Sequence, residues 1–205
     1  HDVAREFLNR IVLLAKEKGL VSDEHFSADG TLIEAWASMK SFRPKDETKG
    51  GGSGNGWADF KGEKRSNETH ESKTDPQAKL LRKGDGQSAK LAFLGHTIME
   101  NRNGLCVGFD ITEGVGISES VGAIRHVDEL QKLGLNVKTL GGDKGFHNEA
   151  FINGFRERNI SPHVALIKNR KQRRIRRGVG YQISQVVRKR IEEIHGWLKT
   201  VGRLR

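Results

Sequence analysis

One cysteine, Cys106, stands in a chain of 205 residues. A lone thiol excludes an internal disulfide framework and a cysteine-rich zinc site, and it agrees with a reducing cytoplasm. No apolar run approaches the ~18 residues that span a bilayer, and nothing reads as a signal peptide, so no membrane partner is expected. Aromatic residues are few, at 6%. The P-loop, a GxGxxG after a strand, GxSxG and HExxH are all missing, which removes the enzyme classes that carry those motifs.

Glycine, by contrast, is abundant at 25 residues, and hydrophobic residues make up 35% of the chain. Those totals allow one sizeable core with long loops. The net charge of +10 is unevenly placed. Residues 168–205 hold 13 Lys/Arg against 2 Glu, a net +11, and the rest of the chain comes to −1. A basic block of that kind points to a polyanion, nucleic acid first. Its densest part is "KNRKQRRIRR", with Lys168, Arg170, Lys171, Arg173, Arg174, Arg176 and Arg177 as the expected DNA contacts.

Val3, Phe7, Ile11 and Leu14 recur at helical spacing, and Gly19 is a natural stop. Residues 1–22 are read as a helix that ends a further N-terminal domain. The start at His1 and the end at "VGRLR" read as a fragment of a longer protein. A strand follows at 25–34, then a polar, glycine-rich stretch at about 41–89 that contains Trp57 and Phe60. So long a loop is functional or disordered. "KLAFLGHTIM" and "LCVGFDIT" flank an Asn-Gly turn and read as a hairpin. Residues 118–133 read as a helix with Val121, Ile124, Val127 and Leu130 inward. A strand at 136–140, a helix capped by Asn148, a strand "PHVALI" and a helix at 183–199 complete the order. This is an α/β pattern with a mixed central sheet and helices on both faces.

Three acids occupy unusual places. Asp29 lies inside the first strand, where a turn or bulge is the alternative. Asp143 follows a strand in "GGDKGF", at the strand end where open α/β sheets build sites. Glu192 lies on the last helix, four residues after Arg188, where a surface ion pair is the alternative. Together they offer hard oxygen donors on separate elements, the ligand type magnesium takes. Two such ions would serve phosphodiester chemistry. Glu100 and Asp110 are spare candidates, and His96 reads as a buried structural histidine.

"FSADGTLIEAWASMKSFRPKD", "THESKTDPQAKLLRK", "LGHTIMENRNGL", "GGDKGF" and "GYQISQVVRKRIEEIHGWLK" resemble successive blocks of the catalytic domain of bacterial insertion-sequence transposases of the DDE class. The resemblance implies a ribonuclease-H-like fold over 23–205, a mixed five-stranded sheet with helices on both faces. It implies Asp29, Asp143 and Glu192 as a triad for two Mg²⁺ (or Mn²⁺) ions, with Asp29 bridging them. The family signature Y-x2-R-x3-E-x6-K falls on Arg188, Glu192 and Lys199, with Gln185 in place of Tyr. Arg188 and Lys199 are then phosphate contacts. Phe146 also replaces a common Tyr. The implied reaction is cleavage at transposon ends by water, then attack of the exposed 3′-OH on target DNA. The implied partners are terminal inverted repeats, target DNA and a second copy on paired ends. The implied setting is the bacterial cytoplasm, at the nucleoid. A catalytically silent or repurposed DNA-binding derivative is the alternative.

Overall fold

The computed structural model describes residues 2–46, 65–84, 86–114, 119–165 and 178–204. The basic run from Lys168 to Arg177, and Trp57 and Phe60, lie outside them. In chain order the elements are α1 (Asp2–Glu17), β1 (His25–Glu34), β2 (Phe42–Pro44), β3 (His70–Ser72), β4 (Lys79–Leu81), β5 (Lys90–Glu100) and β6 (Leu105–Thr112). Then come α2 (Glu119–Lys132), β7 (Thr139–Gly142), α3 (Glu149–Glu157), β8 (Ser161–Val164), α4 (Val179–Val187) and α5 (Ile191–Thr200). The chain divides into two compact units, residues 1–31, 95–112 and 116–204, and residues 32–94 with 113–115.

The first unit contains a sheet in the order β6–β5–β1–β7–β8. β1, β7 and β8 are parallel. Asn101 N–H donates to His25 O at 2.9 Å, and Ala35 N–H to Leu91 O at 2.9 Å, so β5 runs antiparallel to β1. Three strands that turn back on one another, followed by two reached through helical crossovers, make the ribonuclease-H-like arrangement. Side chains alternate across β1. Phe26 and Ala28 enter the core with Ile98, Leu140, Phe146, Phe151 and Phe155. His25, Ser27 and Asp29 therefore face the other way. Leu8 and Val12 of α1 and Ala123, Val127 and Leu130 of α2 also reach the core. Gly141 on β7 faces Ser184 and Arg188, so the C-terminal helices cover the opposite side.

Several details differ from the sequence-based expectation. On α1 the stripe Val3, Phe7, Ile11 and Leu14 is exposed, and the core is met through Leu8 and Val12. Val121 on α2 is exposed too. The last helix is two helices joined by a 3-10 turn at Arg188–Arg190. Of its expected apolar side, Ile183 and Val186 are exposed and Ile191 is buried, the last together with Ser184 and His195. Other expectations hold. Asn148 caps α3, its Oδ1 accepting from Phe151 N–H at 2.8 Å. Gly19, Gly104 and Gly134 take positive φ at the ends of α1, the hairpin turn and α2.

The second unit builds structure inside the polar stretch. β2 and β3 pair antiparallel, and β4 pairs with the start of β5. Asn67 replaces a missing strand partner: its Oδ1 accepts from Leu80 N–H at 2.7 Å, and its Nδ2 donates to Leu80 O at 3.1 Å. Phe42, Ala78 and Leu91 form a small core of their own.

His96 and His126 are buried in the first unit. His96 Nε2 lies 2.9 Å from Thr112 Oγ1. Gly122 makes room for the ring, because a Cβ there would come within 2.6 Å of it. Burial, with the Arg125 charge nearby, pushes both histidines from 6.5 down to about 4. A group depressed this way holds its stabilising neutral form above the unfolded pKa, and its contribution is lost as pH falls from about 6.5 toward 4. Each tenfold loss of proton affinity on folding corresponds to ~1.4 kcal/mol. His126→Gln should therefore lose less stability than the wild type between pH 7.5 and 4.5. Urea midpoints at the two pH values check this, and an equal loss in both proteins would contradict it.

Candidate active site

Asp29 lies in an unbroken β1, not in a turn or bulge. Its side chain is 28% exposed, and Oδ1 accepts from Gly30 N–H at 2.9 Å. Burial raises its pKa from 3.8 to about 6, against the opposing effect of that backbone bond. The charges of Asp143 and Glu192 raise it further, and that of Arg188 lowers it. Asp143, Glu192 and Arg188 are thus each within electrostatic reach of Asp29.

Each arrives from a different element for a local reason. Asp143 follows β7 directly, and its Oδ1 accepts from Gly145 N–H at 2.7 Å, closing the turn "DKG". A Cβ on Gly141 would stand 3.0 Å from Ser184 Oγ and 3.5 Å from Arg188 Cβ. The small residues Gly141, Ser27 and Ser184 therefore let the end of α4 approach the sheet closely, and this brings Arg188 to Asp29. Gln185 holds the arginine: its Oε1 accepts from Arg188 Nε at 3.1 Å, and its Nε2 donates to His163 O at 2.6 Å. The residue that departs from the family signature is thus a brace between β8 and the arginine. Tyr181, one turn earlier, donates to Val164 O at 3.2 Å.

Arg188, Glu192, His195 and Lys199 are spaced four, three and four apart, which places them along one side of a helical segment. Glu192 is exposed and His195 is buried. His195 Nδ1 lies 3.6 Å from Asp29 Oδ2, and Nε2 lies 3.1 Å from Thr97 Oγ1. The three-residue offset from Glu192 was a signal for His195. Thr97 had none, since its contact spans 98 positions. Lys189 and Arg190 are exposed on the 3-10 turn beside Arg188.

The spare acids are occupied elsewhere. Glu100 is fully buried and accepts from Ser22 Oγ, Arg102 N–H and Asn103 N–H at 2.5–3.0 Å, which fixes the β5–β6 turn. Asp110 pairs with Arg125. Buried polar atoms without a hydrogen-bond partner include Ser27 Oγ, Ser184 Oγ, His163 Nδ1 and both polar atoms of the Asn101 carboxamide. Asn101 and Ser184 line a pocket of about 190 Å³ with His25, Ile183 and Val187.

Among the described residues no three acidic, histidine or cysteine side chains converge tightly enough to enclose a metal ion. The donor set nevertheless suits a hard divalent cation. Asp29, Asp143 and Glu192 offer only carboxylate oxygens, and Asp29 carries excess negative field from the other two. Among the described residues, no helix is long and apolar enough to cross a membrane.

The fold is that of a ribonuclease-H-like domain, with Asp29 on the sheet face opposite the core. The family model described as "Transposase DDE domain" matches residues 67–205, and the chain belongs to that family. Membership implies use of a divalent metal in general. No curated protein sequence matches the chain. Among solved structures, it is similar to the simian T-cell lymphotropic virus intasome in complex with PP2A regulatory subunit B56 gamma. That match has 10% identity and a TM-score of 0.45, over 89% of this chain and 40% of the other. It is also similar to the Mos1 transposase paired-end complex with left transposon end, at 8% identity and TM-score 0.34, over 77% and 40% of the two chains. A third match is the piggyBac transposase synaptic complex with hairpin DNA, at 8% identity and TM-score 0.36, over 84% and 31%. The chain thus spans two-fifths or less of the chains it matches.

The raised pKa of Asp29 has a thermodynamic consequence. Its contribution to stability is complete below pH 3.8 and is lost as pH rises through about 6. At pH 7.5 the ionised carboxylate costs the metal-free fold on the order of 1–3 kcal/mol. Asp29→Asn should therefore be more stable than wild type at pH 7.5 in a chelating buffer, with the difference closing toward pH 4. Denaturant titrations measure it, and a variant less stable at pH 7.5 would contradict the assignment of the shift.

Proposed function

We propose that this chain is the catalytic domain of a DNA transposase. It cleaves phosphodiesters at transposon ends in a metal-dependent reaction and transfers the exposed 3′-OH into target DNA. The observation that carries this reading is the grouping of Asp143, Glu192 and Arg188 around Asp29 in a chain of the transposase DDE family.

Asp29, Asp143 and Glu192 would hold two Mg²⁺ ions. Such ions, when bound, activate the attacking oxygen and stabilise the leaving one. The protein's own groups do the rest. Arg188, braced by Gln185, offers a fixed guanidinium to a phosphate beside the acids. Lys199, on the same side of the helical segment, supplies a second phosphate contact. Lys168, Arg170, Lys171, Arg173, Arg174, Arg176 and Arg177 extend the basic track in sequence. One phosphodiester replaces another in strand transfer, so no nucleotide cofactor is required. Catalysis is then positioning and charge neutralisation. The DNA partners are terminal inverted repeats and target DNA, engaged by two copies on paired ends at the bacterial nucleoid.

Asp29→Asn, Asp143→Asn and Glu192→Gln should each lower Mg²⁺-dependent nicking of terminal-repeat DNA by ~10³-fold or more, the scale of losing transition-state electrostatic stabilisation. DNA affinity should stay within a few-fold. Arg188→Ala should weaken DNA binding and flatten its salt dependence by about one contact. Nicking by Asp29→Asn at the wild-type rate would overturn the site. Nicked but never joined products would reduce the function to a nuclease. Inactive wild-type protein that still binds the DNA would favour the repurposed derivative.

A further inference from the structure

His195 stands beside Asp29 and takes no part in the chemistry proposed above. Both of its ring nitrogens have neighbours. Nε2 is 3.1 Å from Thr97 Oγ1, a hydroxyl on β5 in a residue that is itself 1% exposed. Nδ1 is 3.6 Å from Asp29 Oδ2. The first contact is hydrogen-bond length and the second is just beyond it. The ring is therefore anchored at its far end and directed at the carboxylate from its near end. The other carboxylate oxygen, Oδ1, is already held by Gly30 N–H at 2.9 Å. Oδ2 is thus the oxygen whose orientation His195 faces.

We infer that His195, anchored by Thr97, is a positioning residue that sets the orientation of Asp29 Oδ2 for a divalent cation. This rests on the reading of Asp29 as a metal ligand. The physical reason is preorganisation. A carboxylate that keeps one rotamer before the ion arrives loses less freedom on binding, and outer partners of ligating groups supply that restraint. The placement adds a second effect. Glu192 and His195 are three residues apart on α5, so one seating of that helix sets both the proposed ligand and the group that orients its counterpart. Thr97 ties that seating to β5, the strand next to Asp29.

The test is Mn²⁺ binding to the DNA-free protein, followed by the free-ion electron paramagnetic resonance signal. His195→Phe and Thr97→Val should each weaken Mn²⁺ by ~10- to 100-fold, the range for losing an outer partner of a metal ligand. The double variant should be no weaker than His195→Phe, because both act through one contact. His195→Asn, which keeps a donor near the Nδ1 position, should recover part of the loss. If His195→Phe fails to fold by circular dichroism, Thr97→Val, nearly equal in shape to the wild type, carries the test. Unchanged Mn²⁺ affinity in both variants would overturn the inference. So would nitrogen coupling to Mn²⁺ from His195 in pulsed resonance, which would make it a direct ligand. Asp29→Asn is the separate control. Wild-type Mn²⁺ affinity in that protein would overturn the underlying reading of Asp29, whatever His195 does.

Discussion

A carboxylate on an interior strand, mostly removed from water and facing two further acids, is the constraint around which the first unit is arranged. Asp29 has an expensive ionised form because burial and like charge act in the same direction. The Gly30 N–H and the Arg188 charge oppose them. Arg188 reaches the site because the sheet surface between β1 and β7 is made of small residues. A Cβ at Gly141 would press on Ser184 Oγ at 3.0 Å and touch Arg188 Cβ at 3.5 Å, so the close seating of α4 leaves little room for a side chain there. The acids and the glycine thus belong to one device. The glycine contributes no chemistry, yet it sets how near the arginine comes.

The cost of that arrangement is offset on the other face. β1 gives Phe26 and Ala28 to a core that includes the aromatic cluster Phe146–Phe151–Phe155, with ring centroids 5.0 and 4.4 Å apart. The face beneath α4 and α5 instead carries His25, Ser27, Asp29, Thr97, Thr139 and His163, met by Ser184 of α4 and His195 of α5. Several of its buried polar atoms lack a partner, which is uncommon in folded proteins and concentrates where chemistry is carried. One sheet therefore divides its labour by the two-residue alternation of its strands. The apolar core lies on one side, and Asp29, the proposed metal ligand, stands on the other.

Much of this was legible in the sequence, and the reasons differ by element. β1, the β5–β6 hairpin and α3 were readable because alternation, an Asn-Gly turn and an Asn cap are local signals. β2, β3 and β4 were not, since strands of three residues carry no period. They are held by side chain to backbone bonds such as Asn67 to Leu80. The break between α4 and α5 was hidden because "RKR" contains neither glycine nor proline. The apolar stripe on α1 was visible, but not which side of the helix the core would take. Asp29, Asp143 and Glu192 stood out only weakly one by one; as hard oxygen donors on separate elements they weighed more together, and the family resemblance implied them as a triad. Burial and like-charge crowding at Asp29 then gave an independent, physical reason to group them.

That crowding also shapes how DNA could be held. A phosphate backbone brought to an acidic site is repelled unless cations stand between them. On the proposed reading, Arg188 and Lys199 supply fixed positive charge and the metal ions supply the remainder. Each acid that sharpens metal binding raises the repulsion that DNA must overcome, and each bound ion removes it. Metal and DNA should therefore bind with positive coupling, and linkage requires the coupling to be the same in both directions. The protein's own charges set the size of that coupling. Arg188 already offsets part of the field at Asp29, so removing it would weaken DNA in the metal-free state more than in the loaded one. An acidic site and a basic C-terminal region are, in this sense, a single electrostatic design read from its two ends.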